Sequence, residues 1–414
     1  MRAPPPPESS RNPYSMKIAI IGAGVAGCIL ARSLADIPGV DTVCLERVLQ
    51  DDHSESGTGL NIGPNAVKAL RLTEPTLADA IAAASFAWKT WRVSLTDGTV
   101  LFDLPLDRVA DCDGVRIRWS ELYSVLRNEA ADVIQYGCEI QTIARDPNAA
   151  AKTTVHYTHH GEPRVLDDID LLIAADGRYS QTRETFAGTP AVRQLGVSIF
   201  RLLVPDTSAG LIDDYEQWFN GPNRLLSFRV PSAHIYIAGT FPIPADEPVP
   251  DACKTAGFLR AAYTPEGGLP SDQATWLIDT VCANTGALHW ARMQESDMRF
   301  AEPDVQVMYL GDAAHGMVPT LGQGATQAIE DACCAVHLLR AGIAAGTSPR
   351  DWLDQLDAAR RERVRFTMQL SFDASDTMLA GADPVAGTLK KAGPDFMGDL
   401  TRLYRDVTLP GVGS

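Results

Sequence analysis

From Met16 to Gly27 the chain reads Met-Lys-Ile-Ala-Ile-Ile-Gly-Ala-Gly-Val-Ala-Gly, an apolar strand that runs straight into Gly-x-Gly-x-x-Gly. Apolar residues at Val25, Ile29, Leu30 and Leu34 continue with helical spacing, so the segment predicts strand, glycine turn and helix. The first glycine permits a tight turn, the second a close backbone approach to a pyrophosphate, and the third close packing of helix on strand. A helix that starts on such a turn points unpaired N–H groups and the positive end of its dipole at an anion. A second strand at 42–45 ends at Glu46, about twenty residues past the last glycine, where a carboxylate receives a ribose 2′-hydroxyl. This start restricts the chain to an α/β fold with a dinucleotide site formed by Gly22, Gly24, Val25, Ala26, Gly27, Glu46 and Arg47. It leaves open which dinucleotide binds.

With 414 residues there is room for two or three domains. The net charge of −16 argues against nucleic acid or an anionic membrane surface as a partner, because both demand basic patches. No stretch approaches the ~18–20 apolar residues of a membrane-spanning helix. The eight cysteines lack Cys-x-x-Cys spacing, so reduced thiols in a cytoplasmic protein, with no metal, are expected. Residues 1–15 carry four consecutive prolines and no apolar signal-peptide core, and are expected to be an extended, disordered leader, with Met16 a candidate natural start.

Two further strand ends repeat the glycine–carboxylate theme. The apolar run at 170–175 stops at Asp176-Gly177, and the run at 305–310 stops at Gly311-Asp312. The second continues through Pro319 to Gly322-Gln323-Gly324-Ala325, which opens a long apolar helix. Ligands bind at the C-terminal edge of parallel strands, so the three acids Glu46, Asp176 and Asp312 are expected to converge along one ligand. The glycine-bearing stretch 57–65, with Gly59 and Asn61, suggests backbone running close to something flat or charged. Between these motifs, residues 86–105 alternate around Asp97-Gly98 as a hairpin, and 197–204, 224–230 and 234–240 alternate as strands of a mainly antiparallel layer.

The motifs Gly22-Ala-Gly24-Val-Ala-Gly27 with Glu46-Arg47, Ala175-Asp176-Gly177 with Ser180 and Arg183, and Gly311-Asp312-Ala-Ala-His315 through Gly324 together resemble those of a family. That family is the class A flavin monooxygenases of the p-hydroxybenzoate hydroxylase fold, nearest the branch of salicylate hydroxylase and 6-hydroxynicotinate 3-monooxygenase. The resemblance covers about residues 16–370. It implies a Rossmann-like FAD-binding domain (16–85, 112–190, 291–345), an inserted, mainly antiparallel β-sheet substrate domain (86–111, 191–290) and a C-terminal helical region (346–414). It implies FAD as cofactor, NADH or NADPH as a transient co-substrate and dioxygen as oxidant. The implied reaction is hydroxylation of a small activated, carboxylated aromatic through a flavin C4a-hydroperoxide, by a monomer or homodimer. A flavin-dependent epoxidase or tailoring oxygenase, and a non-catalytic flavin sensor, are the alternatives.

Two departures stand out. The family's FAD-contacting arginine, in an Arg-x-x-Leu pattern, falls here on Trp119, so Arg118, just before it, is taken as the replacement, with Arg116 as the other candidate. A substrate-side histidine of the 6-hydroxynicotinate enzymes is Asn61 here. For the substrate, Ser227 and Arg229 share one face of a strand, and Arg229 is a candidate clamp for a carboxylate. Tyr236 and His234 on the next strand are candidates to orient or deprotonate a ring hydroxyl, with one at most facing the pocket. Asn61 and Pro319 complete the expected catalytic set.

Overall fold

A computed structural model describes residues 16–50, 58–145 and 152–412. The expected leader and Gly57 lie outside the described residues. The core is a six-stranded sheet in which Met16–Ile21 is flanked by Val40–Leu45 and Leu171–Ala174, all parallel, with Val307–Tyr309 parallel to the last. Burial on both faces explains why Met16–Ile21, Leu171–Ala174 and Val307–Tyr309 read as largely apolar runs, while Val40–Leu45, partly exposed over its first half, carries Asp41 and Thr42. Helices Val25–Leu34 and Gln323–Ala345 pack together on this sheet, and the latter carries fifteen buried residues, which accounts for its length.

A seven-stranded sheet forms the second layer. Its order is His289–Ser296, Val192–Pro205, His234–Pro242, Asn223–Val230, Tyr215–Asn220, Thr90–Leu95 and Val100–Pro105. All neighbours are antiparallel except Tyr215–Asn220 and Thr90–Leu95, which run parallel. The strand Tyr215–Asn220, the edge strand His289–Ser296 and the helices Ala256–Tyr263 and Asp272–Ala283 were not anticipated from sequence. Phe86–Trp88, expected in the first hairpin, instead joins a small sheet with Gly59–Ile62 and Gly114–Arg118.

The two faces of the large sheet bury different clusters. One packs Leu226, Phe228, Tyr236 and Ala238 toward the C-terminal helices through Met378, Leu403 and Tyr404. The other packs Leu202, Ile235, Ile237 and Phe241 against Leu259, Tyr263 and Leu277. The C-terminal segment forms helices Pro349–Asp373, Pro384–Lys391 and Pro394–Arg405 and so backs the first face. All eight cysteines are free. Among the described residues, no helix is long and apolar enough to cross a membrane.

Candidate cofactor and substrate site

The glycine loop has the geometry its sequence demands. Gly22 has φ of +95°, and a Cβ there would lie 2.6 Å from the Ala175 carbonyl oxygen. A Cβ on Gly27 would come within 2.0 Å of the Gly22 carbonyl oxygen, so this glycine serves packing and does not line a cavity. The Val25–Leu34 helix begins at Gly24 without a side-chain cap, leaving its first N–H groups for a ligand. Glu46 holds the loop: Ala23 N–H donates to its Oε2 at 2.6 Å and Val48 N–H to its Oε1 at 3.0 Å. A carboxylate accepts about four hydrogen bonds, so capacity for a ribose remains.

Two chambers open from this loop and share Gly24, Thr58, Trp119, Tyr123, Ala175, Gly177 and Arg178 in their walls. The first, about 580 Å³, is lined by Glu46, Arg47 and Asp176. The second, about 820 Å³, is lined by Asp312, Val25, Ala26, Gly59, Asn61, Pro319, Gly322, Gly324 and Ala325. The three acidic strand tips thus face one continuous groove. Asp176 accepts from Thr182 N–H (3.1 Å) and Oγ1 (3.0 Å) on one oxygen, while its other oxygen is buried without a partner. Burial pushes the Asp176 carboxyl up, against the hydrogen bonds from Ser180 and Thr182. Asp312 is exposed and lines the second chamber, and desolvation by the surrounding protein raises its carboxyl as well, against the positive field of His315, Arg178 and Arg201. Across from it the Gln323–Ala345 helix starts uncapped at Gly322 (φ +65°), and a Cβ on Gly324 would lie 3.9 Å from Asp312 Oδ1.

These residues fit FAD. Uncapped N–H groups and arginine suit its phosphates, the orphaned oxygen of Asp176 and the chamber-facing Asp312 suit its hydroxyls, and a helix N-terminus beside flat glycine backbone suits its ring. Gln323 belongs to the motif but not to the cavity. It is fully buried, accepting from Asn65 Nδ2 and Gln327 Nε2 at 3.1 Å each.

Behind the ring site, buried charges brace the loop. Asp331 Oδ2 accepts from Gly311 N–H (2.9 Å) and His315 Nε2 (2.6 Å), and its Oδ1 accepts from Arg360 Nε (2.7 Å). Arg360 also reaches Glu330 Oε2 (2.9 Å) and Gln327 Oε1 (2.6 Å). Arg363 donates to both Glu330 oxygens at 3.1 and 3.0 Å. Burial opposes ionisation of both acids, yet Arg363 and Arg360 hold Glu330 at about 2, and His315 and Arg360 hold Asp331 at about 2. His315 thus serves the loop.

The substrate-side expectations are corrected by the register of the large sheet. Ser227 pairs with Ile237 and lies on the face away from the cavity, where its hydroxyl donates to the Tyr236 carbonyl at 2.8 Å. Arg229 shares that parity, pairs with Asp213 (3.0 Å) and sits over the Phe86 ring, so it does not line the chamber. His234 and Tyr236, two residues apart, share a face, but only Tyr236 reaches the cavity. His234 sits at the strand's start, with its Nδ1 2.7 Å from the Ser232 carbonyl. Arg118 also misses both chambers and lies 3.9 Å from Glu121. Arg116, the other candidate, is buried on the carbonyls of Ala87, Asp213 and Arg229.

In their place stand residues that sequence reasoning missed. Arg201, Ala238 and Leu226 are cross-strand neighbours facing the chamber, with His289 beside Arg201, and Tyr215 and Arg224 complete that wall. Arg224 is 3% exposed and has no carboxylate within 4 Å among the described residues, and its Nε lacks a partner. Burial lowers its pKa, with the phenols of Tyr215, Tyr236 and Tyr263 opposing. Arg201 hydrogen-bonds the Tyr236 hydroxyl. The available signal was a lone charge inside an apolar run, as in Ser198-Ile-Phe-Arg-Leu-Leu-Val204.

Comparison with known proteins agrees with this geometry. Residues 269–371 match a family model described as an FAD binding domain. The chain is 27% identical over 367 residues to a 3-amino-4-hydroxybenzoate 2-monooxygenase of Streptomyces cremeus, covering 84% of each chain. It is 26% identical over 411 residues to a salicylate hydroxylase of Pseudomonas putida, covering 91% of this chain and 89% of that one. Its fold is that of Klebsiella pneumoniae HpxO, crystallised with FAD and uric acid, at a TM-score of 0.75 and 21% identity, covering 95% of this chain and 98% of the other.

Proposed function

We propose that the chain is an FAD-dependent monooxygenase, as its similarity to named monooxygenases supports, and that it hydroxylates a small aromatic ring bearing a carboxylate, with NADH or NADPH as reductant. The observation that carries the substrate class is Arg224: a buried guanidinium without an anionic partner is costly until a ligand supplies one. FAD, when bound and reduced, supplies the activated dioxygen from which one oxygen atom enters the ring.

The protein's part is to bind, orient and dehydrate. Arg224, with Arg201 close by, takes the carboxylate at the sheet end of the chamber and so fixes which ring edge faces the flavin end. Burial raises the Tyr236 phenol, against the pull of Arg201, so it stays protonated at neutral pH. Its oxygen accepts from Arg201 and its proton is left to donate to a ring oxygen. Ile199, Leu226, Met317 and Pro319 make the walls apolar, which limits water beside the reacting atoms. Asn61 touches the Gly322 turn and holds the opposite wall.

The test is purification with flavin analysis, then NADH and NADPH oxidation against aromatic carboxylates and their decarboxylated analogues under ¹⁸O₂. The expected result is a yellow protein whose oxidation is stimulated by a carboxylated phenol or hydroxypyridine, with ¹⁸O in the product. A flavin-loaded protein stimulated equally by the analogues would refute the carboxylate. A protein unable to take up FAD would refute the assignment as a whole.

A further inference from the structure

The helix Trp119–Asn128 turns one face to the groove, and that face carries Trp119, Tyr123 and Arg127, each four residues from the next. The Trp119 and Tyr123 rings lie 5.1 Å apart at 34°. Arg127 continues the stack, its Cζ 4.7 Å from the Tyr123 ring and 5.9 Å from the Tyr136 ring. Its Nε donates to the Ala23 carbonyl at 3.5 Å, between the first two glycines of the loop. The side chain is 9% exposed, lines the first chamber, and has no carboxylate within 4 Å among the described residues. Glu46, the nearest acid of the loop, is engaged by two backbone N–H groups.

We infer that Arg127 is the cation that holds the diphosphate bridge of the bound dinucleotide. This rests on the reading that FAD fills the two chambers. The aromatic rings take the faces of the guanidinium, and its edge N–H groups are left for a planar or tetrahedral oxyanion. Ala23, which accepts from Arg127 Nε, lies on the loop whose following helix presents uncapped N–H groups, so cation and helix dipole act on the same phosphates. Two more arginines line this chamber: Arg47 is exposed and would engage the ligand from the solvent side, and half-buried Arg178 lies past Asp176-Gly177 and also borders the second chamber. Trp119 and Tyr123, at the junction of the chambers, are the stacking wall that sets the guanidinium plane.

The test uses the full-length protein stripped of flavin and titrated with FAD, ADP and riboflavin. Arg127→Met should weaken FAD and ADP on the order of ten- to a hundredfold, as expected for a lost charged hydrogen bond, and leave riboflavin within about twofold. Arg127→Lys keeps the charge without the fork and should lose only several-fold; it also serves if the Met variant fails to fold. Unchanged FAD and ADP affinity in either variant overturns the inference. So does an equal loss for riboflavin and ADP, which would mean that the helix has repacked. A wild-type protein that binds neither FAD nor ADP removes the cofactor reading itself, a result distinct from failure of Arg127 alone.

Discussion

Replacing Arg360 by methionine tests the buried charge cluster beneath the Gly311-Asp312 loop. Arg360 is 3% exposed and satisfies three side chains, Asp331, Glu330 and Gln327. Methionine fills much of the volume but leaves two carboxylates, 0% and 1% exposed, short of their shared counter-ion. Breaking a buried pair from one side costs about 3–5 kcal/mol. Arg363 still serves Glu330 and His315 still serves Asp331, so the expected loss lies at the lower end, about 3 kcal/mol.

The pH dependence gives this prediction a sign. In the wild type both acids titrate at about 2, below their usual values near 4. Their contribution is therefore present above pH ~4 and lost as pH falls toward 2. In Arg360→Met the buried carboxyls move up, so part of the penalty is relieved by proton uptake, and the stability gap should narrow from pH 7.5 to pH 5. The assay is urea unfolding of the flavin-free proteins at the two pH values, compared by midpoint at a shared slope. A loss below about 1 kcal/mol, or a gap unchanged with pH, would refute the reasoning.

Two further substitutions probe the ends of the second chamber. Asp312→Asn should weaken FAD about tenfold or more; wild-type affinity should fall as pH drops through the raised Asp312 pKa, while the Asn variant stays flat, as read by flavin fluorescence. Arg224→Met should raise KM for a carboxylated substrate by about a hundredfold with flavin content intact, whereas Arg229→Met, on the opposite sheet face, should leave KM unchanged.

The cofactor half was legible because parallel strands align their C-terminal ends on one sheet edge. Glu46, Asp176 and Asp312 are far apart in sequence, yet each follows a strand that ends in apolar, buried residues, and such runs are easy to find. Once those runs are neighbours in one sheet, convergence of their tips follows from topology. What a motif cannot tell is which of its members touch a ligand. Gly27 and Gln323 sit in signature positions but meet only protein, since one supports the turn and the other the helix. Arg118 failed for a related reason. It precedes the helix, while the groove is faced by positions 119, 123 and 127, which become identifiable only once the helix is rotated into place.

The substrate wall was harder because alternation loses its meaning when both faces of a sheet are covered. In Asn223–Val230 the even positions 224, 226 and 228 face the cavity side and the odd positions 225 and 227 face another core, so neither set is marked by polarity. The arginines at 224 and 229 are five residues apart and must lie on opposite faces. Sequence reasoning singled out Arg229, which pairs with Asp213 on the far side, and passed over Arg224, which has no acid beside it and lines the cavity. The choice between them is made by register, through Arg201 pairing with Ala238 and Ala238 with Leu226. A one-residue slip would exchange the two faces and bury Ser227 and Arg229 in the chamber. On the proposed reading, substrate recognition depends on the pairing of Asn223–Val230 with His234–Pro242, and Gly59, which lines the same chamber, leaves room for that wall. A Cβ there would come within 2.7 Å of the Tyr236 Cβ and push the phenol out of line with Arg201.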